Sequence, residues 1–120
     1  VALRTRGATL DAEPVDVETA AFEAALADAG VVVFPGFCGV GDDGATTLLG
    51  RGGSDLTALF LAERLAARCV LVKDVDGLYE RDPALAGPRP ARFERITWED
   101  ALRVGGKVVQ PKTLRSARLH

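Results

Sequence analysis

The six residues Gly50-Arg51-Gly52-Gly53-Ser54-Asp55 concentrate more chemical potential than any other part of this 120-residue chain. They stand directly ahead of a strongly helical run, in the stretch TLLGRGGSDLTALFLAERLA from Thr47 to Ala66. Glycine lets a guest come close to the main chain, and the first N–H groups of a helix point at whatever sits there. Donors in this bend would come from Gly52, Gly53 and Ser54, and Arg51 adds a planar fork suited to a carboxylate or a phosphate. The same residues also read as an ordinary turn, with Ser54 and Asp55 serving as helix cap and dipole partner. Two familiar anion loops do not fit, since neither Gly-Lys-Ser/Thr nor GxGxxG occurs at the required spacing.

Two further stretches carry charge where a fold would normally avoid it. In VLVKDVDGLYERDP (Val70 to Pro83) an apolar run ends in Lys73, Asp74 and Asp76, with Tyr79 just beyond. Ligand crevices of open α/β sheets lie at the C-terminal ends of strands, so these residues are candidates for a polar ligand. A tight aspartate turn is the alternative. In GGKVVQP (Gly105 to Pro111) Lys107 stands between a helix stop and a helix start, either as solvated surface or as a positioned cation.

The elements that must hold these groups follow from periodicity and punctuation. The spacing predicts a helix from about Val17 to Ala29 ended by Gly30, then a buried strand over Val31–Phe34. A hairpin is expected with its turn on Gly41-Asp42-Asp43-Gly44. An amphipathic helix from about Asp55 to Arg68 follows, with Leu56, Leu59, Phe60 and Leu65 inward. Cys69 to Val75 reads as a second buried strand, and Pro and Gly mark the next segment as loop. Thr97 is the expected cap of a short helix with Asp100 at its third position, and Pro111 opens a last helix. Strand, helix and strand in alternation imply an α/β three-layer sandwich with a mostly parallel central sheet.

Bulk properties exclude several function classes. Hydrophobic residues are 48% and charged residues 27% of the chain, as in a globular domain. A net charge of -2 argues against a nucleic-acid partner. No apolar run is long enough for a membrane span. The single histidine is the last residue, so a histidine metal site or triad has no material. Cys38 and Cys69 lie outside any paired-cysteine spacing and read as free thiols of a reducing, cytoplasmic setting. The chain begins with Val1 and contains no methionine, which reads as a fragment.

Taken in order, GFCGVGDDGATTLLGRGGSD, KDVDGLYERDP and GGKVVQP resemble the amino-acid kinase family, and within it the aspartate kinase branch. The likeness runs from Val31 to Leu114, and RTRGATLDAEPVDV is similar to the lead-in segment. The resemblance implies that residues 1–120 are the C-terminal, nucleotide-side part of a catalytic domain. It implies transfer of the γ-phosphoryl group of ATP, with Mg2+, to the side-chain carboxylate of L-aspartate. N-acetylglutamate or UMP as acceptor, or a non-catalytic nucleotide- or oxyanion-binding or regulatory module, are the alternatives. Carried over by position, Arg51, Gly52, Gly53 and Ser54 would hold the acceptor and Asp55 would organise the transition state. Lys73, Asp74, Tyr79, Lys107 and Val108 would lie at the nucleotide, with Lys107 also catalytic and near phosphate. No protein metal site is implied, and a homodimer is the family's common state.

Some positions depart from the family pattern. Lys73 stands where aspartate kinases usually have threonine or serine. Ala84 occupies the place of an ATP-binding arginine, for which nearby Arg81 is a candidate substitute, and Gln110 replaces a histidine. The family's N-terminal lysine-glycine loop is not in this sequence.

Overall fold

The computed structural model describes residues 2–104 and 108–119. It divides into two compact units, Val1–Cys69 and Val70–His120.

The first unit is an α/β arrangement. Its elements are β1 (Leu3–Ala8), β2 (Asp11–Val17), α1 (Thr19–Ala29), β3 (Cys38–Val40), β4 (Thr46–Leu48) and α2 (Gly53–Arg64). The four strands form one sheet in the order β2-β1-β3-β4. Each outer pair is an antiparallel hairpin, and the two hairpins are joined by a parallel pairing of Arg4 with Val40. Period-two alternation sends Leu3 and Thr5 inward while Arg4 and Arg6 stay exposed. The core gathers Leu3, Ala12 and Val17 from the first hairpin, Leu49 from the bend, and Leu56 and Phe60 from α2. Burying side chains such as Leu56 (1% exposed) and Phe60 (5%) contributes about 1.5–3 kcal/mol each. That burial, not helix propensity, is what fixes α2 and therefore the bend ahead of it.

The expected 41–44 turn is present. Gly44 adopts φ +79°, the Gly44 amide donates to the Gly41 carbonyl, and the Gly41 amide donates to that of Ala45. Gly30 closes α1 in a left-handed conformation, its amide donating to the Leu26 carbonyl.

Three expectations are corrected. The sheet is mixed, with one parallel pairing, and is not mostly parallel. Val31–Phe34 and the run after Cys69 form no strand among the described residues. Both runs are rich in apolar residues but find no ladder partner, and Val33 and Val72 are each 92% exposed. Finally, α2 ends at Arg64, not near Arg68, because the chain turns at Leu65 into a left-handed Ala66 (φ +48°).

The second unit holds α3 (Trp98–Val104) and α4 (Pro111–Leu119). The Asp100 amide donates to the Thr97 hydroxyl at 3.1 Å, and that hydroxyl donates to the Asp100 carboxylate at 2.8 Å. Thr97 thus caps α3 as foreseen in the sequence, with Asp100 at the third position meeting its hydroxyl. Pro111 opens α4, where its missing N–H costs nothing. Ala101, Thr113 and Leu114 are buried.

Candidate functional site

The Gly50–Asp55 bend is built by two left-handed glycines, Gly50 (φ +70°) and Gly52 (φ +79°). A side chain at either position would add roughly 1–2 kcal/mol of backbone strain. Gly52 is the N-cap of α2, and the Gly53 amide donates back to the Gly50 carbonyl at 3.0 Å. Ser54 and Asp55 therefore lie within the first turn of α2 and do not cap it, which sets aside the helix-cap reading of Ser54. Arg51 and Ser54 are exposed, Asp55 is half-buried and Gly53 is buried. The residues that could meet an anion thus face outward, while the one that must pack faces inward.

A second segment closes on this bend. Residues Gly36 and Phe37 run beside the start of α2, so close that a Cβ on Gly36 would stand 3.4 Å from the Ser54 Cα. On Gly53, a Cβ would come 2.7 Å from the Leu49 Cβ and 3.0 Å from the Phe37 ring. Phe37 itself is left-handed (φ +75°) and 41% exposed. Its amide donates to the Thr57 hydroxyl at 3.2 Å, its carbonyl accepts from the Leu49 amide at 2.8 Å, and the Thr57 hydroxyl donates to the Gly53 carbonyl at 2.8 Å. Sequence reasoning missed Phe37 and Thr57 as organisers of the bend. The Asp55 charge reaches Cys69, whose thiol is pushed above its ordinary value first by burial and then by that carboxylate.

In the second unit the DVDG turn is tied to a later loop. The Tyr79 amide region pairs with Arg92 as an antiparallel bridge, flanked by the Glu80 amide donating to the Ala91 carbonyl at 3.1 Å and the Phe93 amide to that of Leu78 at 2.9 Å. Within this ribbon the buried Tyr79 hydroxyl donates to both Asp76 carboxylate oxygens, at 2.8 and 2.9 Å. Arg89 donates to the Tyr79 oxygen at 2.8 Å, and Arg92 donates to the Asp76 carbonyl at 3.0 Å. Both guanidiniums also approach the Asp76 carboxylate, at 3.6 and 3.7 Å. The Tyr79 hydrogen bond, then a hydrogen bond from the Asp76 backbone and the Arg92 and Arg89 charges, hold the Asp76 carboxyl below its ordinary range against a smaller opposing effect of burial. Arg89 and Arg92 escaped sequence reasoning; two arginines three positions apart, opposite an acidic turn, were the available signal.

The remaining candidates are placed as follows. Lys73 is half-buried and Asp74 exposed, while Val108 lies half-buried in the turn before α4. Lys107 lies outside the described residues. Arg81 donates to the Pro88 carbonyl and so closes its own loop. No group of three or more His, Cys, Asp or Glu that could hold a metal occurs among the described residues. No helix among them is long and apolar enough to cross a membrane.

The model of the amino acid kinase family matches residues 2–119. The chain belongs to that family. It is 40% identical over 107 residues to an aspartate kinase of Pseudomonas putida, covering 86% of this chain and 26% of that protein. Among solved structures it is similar to E. coli aspartokinase III in complex with aspartate and ADP (R-state), with TM-score 0.72 and 37% identity over 98% of this chain and 28% of that one. The same enzyme in complex with lysine and aspartate (T-state) gives TM-score 0.70 and 36% identity, over 97% and 28%. The chain thus spans little more than a quarter of the relatives it matches.

Proposed function

We propose that this chain is the nucleotide-side part of an aspartate kinase catalytic domain, a three-layer sandwich when whole. In this reading it phosphorylates the side-chain carboxylate of L-aspartate at the expense of ATP. The observation that carries the reading is the Gly50–Asp55 bend, which turns Arg51 and Ser54 outward and is backed by Gly36 and Phe37. Support comes from aspartokinase III, which was solved with aspartate and ADP and which this chain resembles over 98% of its own length and 28% of that enzyme's.

The chemistry suits this inventory. A side-chain carboxylate, with pKa near about 4, is already ionised at neutral pH and needs no general base. Its oxygen attacks the γ-phosphorus, the bond from that phosphorus to the β,γ-bridging oxygen breaks, and ADP leaves with the electron pair. The product is an acyl phosphate. The difficulty is bringing one anion onto another, so catalysis rests on positioning and on cations around the phosphoryl oxygens. Arg51 takes the acceptor or the moving phosphoryl group with its fork, beside Gly52 and the exposed Ser54, while the Gly53 amide, given to the Gly50 carbonyl, shapes the bend. Asp55, one residue further into α2, organises the transition state. Lys73, Asp74, Tyr79, Lys107 and Val108 serve the nucleotide. Mg2+ carried by the nucleotide would supply charge neutralisation at the phosphates, since this ion usually keeps its waters and needs few protein ligands.

A phosphotransfer assay tests this directly, with L-aspartate, N-acetylglutamate and UMP offered side by side to the natural polypeptide that carries this chain. Turnover on aspartate is expected; turnover only on another acceptor would overturn the assignment. A non-catalytic nucleotide-binding role is favoured by one observation. Ala84 supplies no cation after Asp82-Pro83, and Arg81 is engaged with Pro88. Calorimetric binding of MgATP without turnover on any acceptor would establish that second reading.

A further inference from the structure

Phe37 poses a physical problem that the reading above leaves unused. It is an aromatic residue in a left-handed conformation, which side chains rarely adopt, yet the residue is 41% exposed, so burial alone does not hold it there. Something else must fix its backbone, and the hydrogen bonds identify what. The Thr57 side chain is 2% exposed and stands one turn into α2. A helical threonine hydroxyl commonly donates to the carbonyl four residues back, as Thr57 does to Gly53. What is not common is that the same oxygen also accepts the Phe37 amide from a segment twenty residues away in sequence. One hydroxyl therefore joins the left-handed turn of the 36–37 segment to the first turn of α2.

The joint has a consequence for the bend. The Phe37 ring lies against Gly53, and the Phe37 carbonyl receives the Leu49 amide, so Phe37 touches the bend at its start and at its inner glycine. If Phe37 relaxed to an ordinary right-handed or extended backbone, both contacts would be lost and the bend could open or close by side-chain dimensions.

We propose that Thr57 is a positioning residue: its buried hydroxyl latches Phe37 to α2 and thereby sets the width of the Arg51–Ser54 acceptor bend. It touches no substrate; it acts through Phe37 and Gly53. The proposal rests on the acceptor reading of that bend.

The test compares Thr57→Val, which keeps shape but removes both hydrogen bonds, with Thr57→Ser, which keeps the hydroxyl. Both are made in the natural polypeptide. Amide exchange at Phe37 should quicken roughly tenfold in Thr57→Val and return to the parent rate in Thr57→Ser, the effect of one lost and regained hydrogen bond. KM for L-aspartate should rise by a similar factor, about tenfold, while KM for MgATP moves less than about twofold. A role in general stability would instead lower the active fraction and leave both KM values alone. An unchanged Phe37 exchange rate, or equal movement of the two KM values, overturns the latch. If no acceptor is phosphorylated, the kinase reading fails by itself and Phe37 exchange alone decides the latch. Should Thr57→Val not fold, Thr57→Ala carries the same comparison.

Discussion

Arg51 is exposed and makes no contribution to the core, so in the proposed chemistry its value lies in the reaction alone. Arg51→Ala is expected to lower kcat/KM of the natural polypeptide at least roughly a hundredfold, the usual cost of removing one charge-stabilising contact. The melting temperature should hardly move, since surface substitutions usually stay within about 0.5 kcal/mol. A steady-state assay beside a thermal melt checks both, and parallel losses would make Arg51 a scaffold residue. At this scale the sequence was legible where type and spacing were unusual. Glycines packed around an arginine ahead of a helix can be read without coordinates. Thr57 could not be read, because a threonine inside a helix has no special signature, and its second hydrogen bond comes from a segment that only folding brings near. Phe37 was hidden for the same reason: its backbone sign is a tertiary fact.

The ribbon between Leu78 and Phe93 is held by side chains more than by a core, and its pH response follows from that. Asp76 has its carboxyl lowered from its ordinary value, first by the Tyr79 hydrogen bond and then by its own backbone amide, Arg92 and Arg89. A depressed carboxyl contributes stability that is present above its unfolded value and lost as pH falls through its folded value. Protection of the Glu80 and Phe93 amides, taken as the ratio of intrinsic to observed exchange rate at each pH, is therefore expected to be highest at neutral pH and to fall below about pH 4, the ordinary carboxylate range. Asp76→Asn should remove that acid step and exchange faster at neutral pH; an identical acid response in the variant would mean that another carboxylate governs the ribbon. Legibility varied with punctuation here. The 41–44 hairpin, the Thr97 cap and the Pro111 start were marked by residues with one dominant local use. The β1–β2 hairpin was not foreseen, because Pro14 and the acidic residues of β2 dilute its alternation, and its pairing shifts register between Arg4 and Thr5. The end of α2 was misplaced because nothing in an alanine announces a left-handed backbone.

At the scale of the whole chain, the two apolar runs that were read as buried strands were right in composition but lacked partners. Their residues are strongly exposed, Val31 by 72%, Val33 by 92%, Val70 by 69% and Val72 by 92%. Unpaired apolar strands tend to pair with other chains. The 120-residue chain alone is accordingly expected to self-associate with rising concentration in sedimentation, and Val33→Lys should suppress this without lowering its melting temperature. In the natural polypeptide the same change should cost stability, because the proposed complete sheet buries that position. Equal tolerance in both settings would argue against a buried strand there. A sequence reports the burial that a residue is suited to; whether the burial is reached depends on which neighbours are present. The chain covers 28% of aspartokinase III, and strand pairing is the property most sensitive to such a share.

The seam between the two hairpins bears on the order of assembly. Each hairpin closes over a short loop, whereas β1 meets β3 only after α1 has been crossed. Short closures form in microseconds, and distant pairings are slower because more chain must be immobilised first. At the seam a side chain on Gly39 would lie 2.4 Å from a Thr5 methyl carbon and 2.7 Å from the Leu3 carbonyl oxygen. The two halves of the sheet can therefore nucleate separately, and they fuse along a track where only a hydrogen atom fits. A methyl group at that one point would obstruct the fusion while leaving each hairpin free to form.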